Sequence, residues 1–284
     1  MLFNKQILDH SSSAQSDPLN CDRWVASSLL QKAIRRGDFE LAQRAARRLM
    51  EFDKNAIWRR VVVIAFEDVG AADIDPLLET VFVASSSEWR RGCGELTALD
   101  RIVRQLAEAT KDRSADYLAC AARDHPDLSE ICDFCRKASL GERLRLLADT
   151  SLPLAKRGVA AWFGSDINWR YDRQVQGGNL RALAEAYREL GAGEELANSM
   201  VLAAKRAPEP LVVLAPLIWF EVQRSGPATT RNGPVPQTKT IAGVPLYAFD
   251  KHTRIGKRAI ERLVRENKPL RDCIIWFLAK GSPK

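Results

Sequence analysis

Seven basic residues near the C-terminal end of the sequence have the types and spacing of a phosphate-binding helix. Four arginines recur every three or four residues and would share one helical face, and three lysines flank them. They are Arg254, Arg258, Arg262 and Arg265, with Lys251, Lys257 and Lys268. A cationic stripe of this kind attracts the DNA backbone, because neutralised phosphates release their counterions. The pattern predicts a helix that holds DNA without reading its sequence, since few aromatic residues interleave with the stripe.

The net charge of the chain is concentrated in the same region. The formal net charge is +7 over 284 residues. Residues 251–284 contain ten Lys or Arg and three Asp or Glu, whereas residues 1–250 hold 33 of each sign. Such local asymmetry indicates an anionic partner more than a diffuse excess would. DNA is the expected partner, and the alternatives are an acidic protein, a membrane surface or a solvated helix without a partner.

A possible acid–base pair lies directly before this helix. Asp250 could orient His252 as a general base for a phosphate-bearing substrate. The sequence places no serine or cysteine nucleophile beside them. We therefore expect a non-catalytic protein without a cofactor, with an enzyme using Asp250 and His252 as the less favoured hypothesis.

Four potential zinc ligands lie close together in the middle of the sequence. Cys120, His125, Cys132 and Cys135 include a C-x-x-C pair and could form a tetrahedral site. Their spacing is not that of a familiar zinc finger, and a continuous helix would place Cys132 and Cys135 on one packed face. The sequence therefore favours apolar packing of these cysteines, and no metal is expected.

Two adjacent carboxylates, Glu67 and Asp68, end a strongly apolar segment. They could bind a metal or transfer protons, but adjacent helical positions do not face each other. The pattern favours a structural role in which one carboxylate pairs with Arg59, Arg60 or another helix.

The stretch from Ser28 to Asp73 carries an ordered set of short motifs. In order they are a Leu-x-Lys-x-Ile-Arg helix, Gly37-Asp38, an alanine-rich amphipathic helix, Arg59-Arg60, an apolar helix and Glu67-Asp68-Val69-Gly70. This order resembles the C-terminal helical region of the MgsA/RarA-type replication-associated recombination AAA+ ATPases, relatives of clamp-loader subunits. In that family the region is a helical collar that makes subunit contacts.

The resemblance covers about a sixth of the chain and implies a role in DNA replication, recombination or repair. It also implies either a homo-oligomer or docking on a replication or repair protein. It does not imply ATP hydrolysis, because the sequence contains no G-x-x-x-x-G-K-[ST] motif to cradle phosphates. The resulting hypothesis is a helical adaptor on DNA, and its rival is a protein-interaction scaffold without DNA contact.

Helical periodicity runs through the sequence without an alternating strand series. The expected fold is all-α, a multi-helix bundle or stacked helical pairs, collar-like in its N-terminal half and ending in the basic helix. The predicted parts are a flexible tail (1–22), a helical body (23–224), a linker or exposed loop (225–243) and a basic segment (244–284). No run of about 18 apolar residues occurs, so the leading prediction has no membrane partner and places the chain in the cytoplasm.

Local signals predict several helix ends. Asp38 and Asn55 are expected N-caps, and Ser139 and Glu142 have the spacing of a capping box. Gly70 is expected to end a helix over residues 56–69. Thr253 is expected to cap the basic helix. The opposite, apolar side of that helix is expected to dock on the body through Ile255, Ala259, Ile260 and Leu263.

Overall fold

The computed structural model describes residues 19–168, 175–226, 238–269 and 271. The predicted tail up to residue 18, residues 227–237 of the predicted linker and the chain beyond residue 271 lie outside these ranges. The last residues of the predicted tail are packed on the body, which corrects that boundary. Leu19 is buried, and the Asp22 carboxylate caps the first helix by accepting from the backbone N–H groups of Trp24 and Val25.

The described residues form fourteen α-helices and one short antiparallel hairpin, which confirms the predicted all-α multi-helix bundle. The helices are α1 (Arg23–Arg36), α2 (Phe39–Phe52), α3 (Lys54–Ile64), α4 (Ile74–Ser85), α5 (Ser87–Cys93), α6 (Glu95–Glu108), α7 (Ser114–Asp124), α8 (Ser129–Lys137), α9 (Leu140–Ala148), α10 (Leu154–Ser165), α11 (Leu180–Leu190), α12 (Glu194–Arg206), α13 (Pro210–Ser225) and α14 (Arg254–Glu266). The strands β1 (Thr240–Ile241) and β2 (Val244–Pro245) pair before α14. Within the described ranges, no helix combines the length and apolarity that crossing a bilayer requires.

A single hydrophobic core runs through the described helices from Leu19 to Ala248. Trp58 and Trp162 are buried in it, as expected for tryptophans in apolar helical segments. Val244 is also buried in this core, so the short segment before α14 packs on the helical body.

Helices α1 and α2 pack along one another across a two-residue connection. Gly37 has φ 73° and ends α1, while the Asp38 carboxylate accepts a hydrogen bond from the backbone N–H of Leu41 at 3.1 Å. The N-cap at Asp38 was predicted from the sequence. The capping box of Ser139 and Glu142 is also present at the start of α9.

The predicted N-cap at Asn55 is wrong. Asp53 caps α3 instead, because its carboxylate accepts from the backbone N–H groups of Asn55 at 2.8 Å and Ala56 at 3.1 Å. Asp and Asn are about equally good caps, so an aspartate two residues earlier can start the helix as well as Asn55 would.

The apolar helix predicted to end at Gly70 does end there, but not as one α-helix. After α3 the chain forms a π-helical turn, Ala65–Val69, followed by a 3-10 turn, Gly70–Ala72. Gly70 has φ 55°, and a Cβ at this position would lie 2.7 Å from the carbonyl oxygen of Asp112. The close approach and the positive φ together require glycine here.

Replacing Gly70 with Ala should lower the free energy of unfolding by about 2–3 kcal/mol, because the methyl group is strained and meets backbone. Urea unfolding followed by circular dichroism measures this loss. Gly141→Ala is the matched control, since Gly141 lies inside α9 with open space around the added methyl group. An equal loss in both variants would contradict this role of Gly70.

Candidate nucleic-acid interface

The first turn of α14 is fixed to the loop before it. Thr253 is buried; its hydroxyl accepts from the backbone N–H of Gly256 at 3.1 Å and donates to the carbonyl oxygen of Asp250 at 2.9 Å. A Cβ on Gly256 would lie 1.9 Å from that same carbonyl oxygen. The predicted cap is thus present, and Gly256 permits the close contact between helix and loop.

The loop is in turn held by α1. Lys32 Nζ lies 2.5 Å from the Asp250 carboxylate and donates to the carbonyl oxygen of Tyr247 at 2.7 Å. Ser28 donates to the same carboxylate at 2.9 Å, and the Arg36 guanidinium lies 3.9 Å from the centroid of the Tyr247 ring. We call Ser28, Lys32, Tyr247 and Asp250 the anchor of α14.

The charge of the anchor is stabilised in the folded chain. Burial by itself would raise the pKa of Asp250, but hydrogen bonds from Lys32, the backbone N–H of His252 and Ser28 outweigh it, so the pKa lies below the ordinary aspartate value. A lowered pKa means that the anchor contributes stability above the unfolded aspartate pKa and loses it as the pH falls through the folded value.

Replacing Lys32 with Met should loosen α14, because the Asp250 carboxylate would lose its cation. We expect a cost of about 2 kcal/mol, in the range of a charged hydrogen bond, and faster amide hydrogen exchange across residues 254–266. Lys205→Met on the exposed side of α12 is the control. Unchanged exchange in α14 after loss of Lys32 would show that the anchor does not hold this helix.

The predicted basic stripe lies on one side of α14. All seven of its side chains are exposed, and none forms an ion pair with another described residue. Five of them belong to the helix itself and form what we call the basic arc: Arg254, Lys257, Arg258, Arg262 and Arg265.

The apolar half of α14 is uncovered within the described part of the chain. Ile255, Ile260 and Leu263 are 52%, 39% and 51% exposed, Ala259 is exposed and Val264 is half-buried. The prediction that this side docks on the body is therefore wrong for the described residues. Helical periodicity defines an amphipathic helix but carries no information about what covers its apolar side.

Glu67 and Asp68 lie in the π-helical turn, where both carboxylates reach the same two guanidinium groups. Asp68 is fully buried, 2.6 Å from Arg35 Nε and 3.6 Å from Arg113 Nε. Glu67 lies 3.4 Å and 3.1 Å from the terminal nitrogens of the same arginines. Adjacent carboxylates thus share partners here, contrary to the expectation for a regular α-helix.

Of the partners predicted for this carboxylate pair, the pairing with another helix is found, because Asp68 pairs with Arg35 of α1. The two arginines named in the prediction have other partners. Arg59 pairs with Glu209 at 3.0 Å, and Arg60 donates to the side-chain oxygen of Gln31. Gln31 in turn donates to Asp68 at 2.9 Å. The structural role predicted for the pair is supported, but through Arg35 and Arg113. Arg35 follows Gln31 by one helical turn, and this spacing could have indicated Arg35 as a partner of the carboxylates. No local pattern indicated Arg113.

Burial shifts the pKa values of charged groups in this network. It raises the pKa of Glu67, with further increases from Asp68 and Asp116, and it lowers the pKa of Arg60. Hydrogen bonds connect these groups, since Arg35 and Gln31 donate to Asp68 and Arg113 donates to Glu67. The network joins α1, the π-helical turn and α7.

The four potential zinc ligands are not assembled. Cys132 Sγ contacts the carbonyl oxygen of Ala122 at 3.3 Å, and Cys120 is exposed. Burial, with a smaller contribution from Cys132, raises the pKa of the buried Cys135 thiol to about 11. Among the described residues, no three His, Cys, Asp or Glu side chains are grouped as metal ligands.

Asp250 and His252 are joined through the backbone. One Asp250 oxygen accepts from the backbone N–H of His252 at 2.9 Å, while the other accepts from Ser28 and lies against Lys32. The pKa of the His252 imidazole is lowered, and burial is a larger cause of this than the charges of neighbouring residues. The contacts of this carboxylate therefore favour the anchor over the orientation of a general base.

Comparisons of the chain with protein-family models, with curated proteins and with solved structures find no match. The resemblance of residues 28–73 to the recombination ATPases therefore stays a prediction. The functional argument rests on the charges and contacts described above.

Proposed function

We propose that this chain is a non-catalytic helical adaptor that binds the DNA backbone through the basic arc of α14. The observation that carries this proposal is the exposure of five cationic side chains on one side of a helix, without an ion pair to another described residue. Glu261 lies on the same side of the helix but forms no ion pair with the arc. These cations are therefore available to phosphates, whose neutralisation releases counterions.

The dimensions of α14 suit a duplex. At about 1.5 Å per residue the basic arc spans roughly 16 Å. Duplex DNA carries one negative charge per about 1.7 Å of axis, so a segment of this length carries about nine phosphates on its two strands together. The cations of the arc can contact those on the near side of the duplex without the helix having to enter a groove or read bases.

The link to replication, recombination or repair rests on the resemblance of residues 28–73. Lys32 and Ser28 belong to this stretch and hold the Asp250 carboxylate at the base of α14. The collar-like segment and the DNA-binding helix would thus be mechanically joined. We propose that this segment supports self-association or docking on a replication or repair protein while α14 holds DNA.

A protein-interaction scaffold without DNA contact is the second candidate. The observation in its favour is the uncovered apolar half of α14, which phosphate contacts would not use. Such a scaffold would co-purify with a protein partner and would not bind DNA at physiological salt.

Fluorescence anisotropy with labelled single-stranded, duplex and forked DNA tests the proposal. Salt is varied from about 50 to about 200 mM, and five phosphate contacts predict a slope of log K against log salt of about −4 to −5 on duplex DNA. Changing the duplex sequence should leave the affinity unchanged. No binding at the lowest salt would reject the DNA role and favour the scaffold.

A further inference from the structure

The proposed DNA contact leaves half of α14 without a function. Taken at 3.6 residues per turn, its apolar residues occupy about half of the helix circumference. They are Ile255, Gly256, Ala259, Ile260, Leu263 and Val264. Three large members of this set are 39–52% exposed, so the described chain does not bury the side that would ordinarily stabilise an amphipathic helix.

Two cations of α14 lie at the edges of this apolar half. Arg262 lies at the edge formed by Ile255, and Lys257 at the edge formed by Val264, each two turns away along the axis. Glu266, the last residue of the helix, falls within the apolar half. The rest of the basic arc points away from the apolar side. Long cationic side chains at the edges can extend to anionic headgroups while the aliphatic residues enter the acyl boundary.

The position of α14 on the body leaves this half accessible. Only Gly256 of the helix is buried, and the anchor holds its first turn, so the side chains beyond it project from the body. A helix presented in this way can lie flat on a surface without unfolding the core.

From the uncovered apolar half and its cationic edges, we infer that α14 docks on an anionic lipid surface as an interfacial helix. This departs from the prediction of no membrane partner, which considered only spanning segments. A helix with one apolar side and a Lys/Arg-rich polar side is the type that binds in the plane of such surfaces. Each basic residue near an anionic leaflet adds to the attraction.

A second copy of the chain fits less well. The exposed apolar side of one 13-residue helix is far smaller than the roughly 800 Å² per partner of a stable interface. Two facing α14 helices would also bring cationic edges together. A groove in another protein would need to cover the apolar half while leaving the basic arc in water.

Vesicle co-sedimentation of the full chain tests this inference. We expect binding to vesicles of equal parts phosphatidylcholine and phosphatidylserine, and little binding to phosphatidylcholine alone. The double variant Ile255→Ser, Leu263→Ser should lose about tenfold or more of the vesicle affinity, because two aliphatic side chains no longer enter the bilayer. Both residues are exposed, so thermal unfolding of the body should not change.

Leu96→Ser, Leu202→Ser is the matched control, since both leucines are exposed on the body. This variant should bind vesicles as the unaltered chain does. The Ile255→Ser, Leu263→Ser variant should also retain DNA affinity, which separates this inference from the proposed function.

Three results would overturn the inference. The first is that the unaltered chain fails to bind the anionic vesicles at low salt. The second is that the Ile255→Ser, Leu263→Ser variant binds them as well as the unaltered chain does, which would mean that charge alone explains the binding. The third is a lower melting temperature of that variant together with no vesicle binding, which would show that the chain itself covers this side.

Discussion

Replacing Asp68 with Ala is expected to lower the free energy of unfolding by about 3 kcal/mol. Its carboxylate is fully buried and faces Arg35, Arg113 and the side chain of Gln31. Removing one member of a buried ion pair leaves the remaining charges without compensation. We place the loss at the lower end of the usual range because both arginines keep some contact with water. Urea denaturation at neutral pH measures it.

Glu67→Gln is the informative control, because it alters the neighbouring carboxylate on the same two arginines. Burial raises the pKa of Glu67, so its ionisation in the folded chain costs stability as the pH rises above the ordinary glutamate value. An uncharged Gln removes that loss. We expect a change within about 1 kcal/mol at neutral pH and a flatter dependence of stability on pH. A loss as large as that of Asp68→Ala would contradict this account of the network.

The second large effect is expected on DNA binding. Replacing Arg254, Arg258, Arg262 and Arg265 with Ala should weaken duplex affinity by about a hundredfold or more at low salt, because most of the phosphate contacts are removed. These side chains are exposed, so the melting temperature should stay the same.

A variant that loses the same number of positive charges elsewhere controls for the effect of net charge on DNA affinity. Arg91, Lys156, Arg181 and Lys205 are exposed on the body and form no ion pair with a described residue. Replacing these four with Ala should reduce affinity only slightly, because they lie outside the basic arc and salt screens attraction to DNA over a Debye length of about 10 Å. An equal loss in the two variants would mean that net charge, and not α14, governs binding.

The all-α fold and much of the candidate site could be predicted from the sequence, because both depend on local spacing. Asp38, the Ser139–Glu142 capping box and Thr253 act on backbone groups within three residues. The shared side of the basic arc likewise follows from helical geometry alone.

What the sequence did not predict depends on contacts between distant segments. Arg113 reaches Glu67 and Asp68 from 46 and 45 positions away, and Lys32 reaches Asp250 across 218 positions. The π-helical turn that presents both carboxylates to the same guanidinium groups also has no periodic signal. The docked apolar side of α14 was expected because amphipathic helices usually pack on a core, and the described residues do not cover it.

The most direct test of the central claim is the salt dependence of duplex affinity, measured for the unaltered chain and for the variant lacking Arg254, Arg258, Arg262 and Arg265. The account predicts that the slope of log K against log salt becomes shallower by about 3 to 4, close to one unit for each lost phosphate contact. Parallel lines for the two proteins would contradict it, because they would place the DNA contacts elsewhere on the molecule.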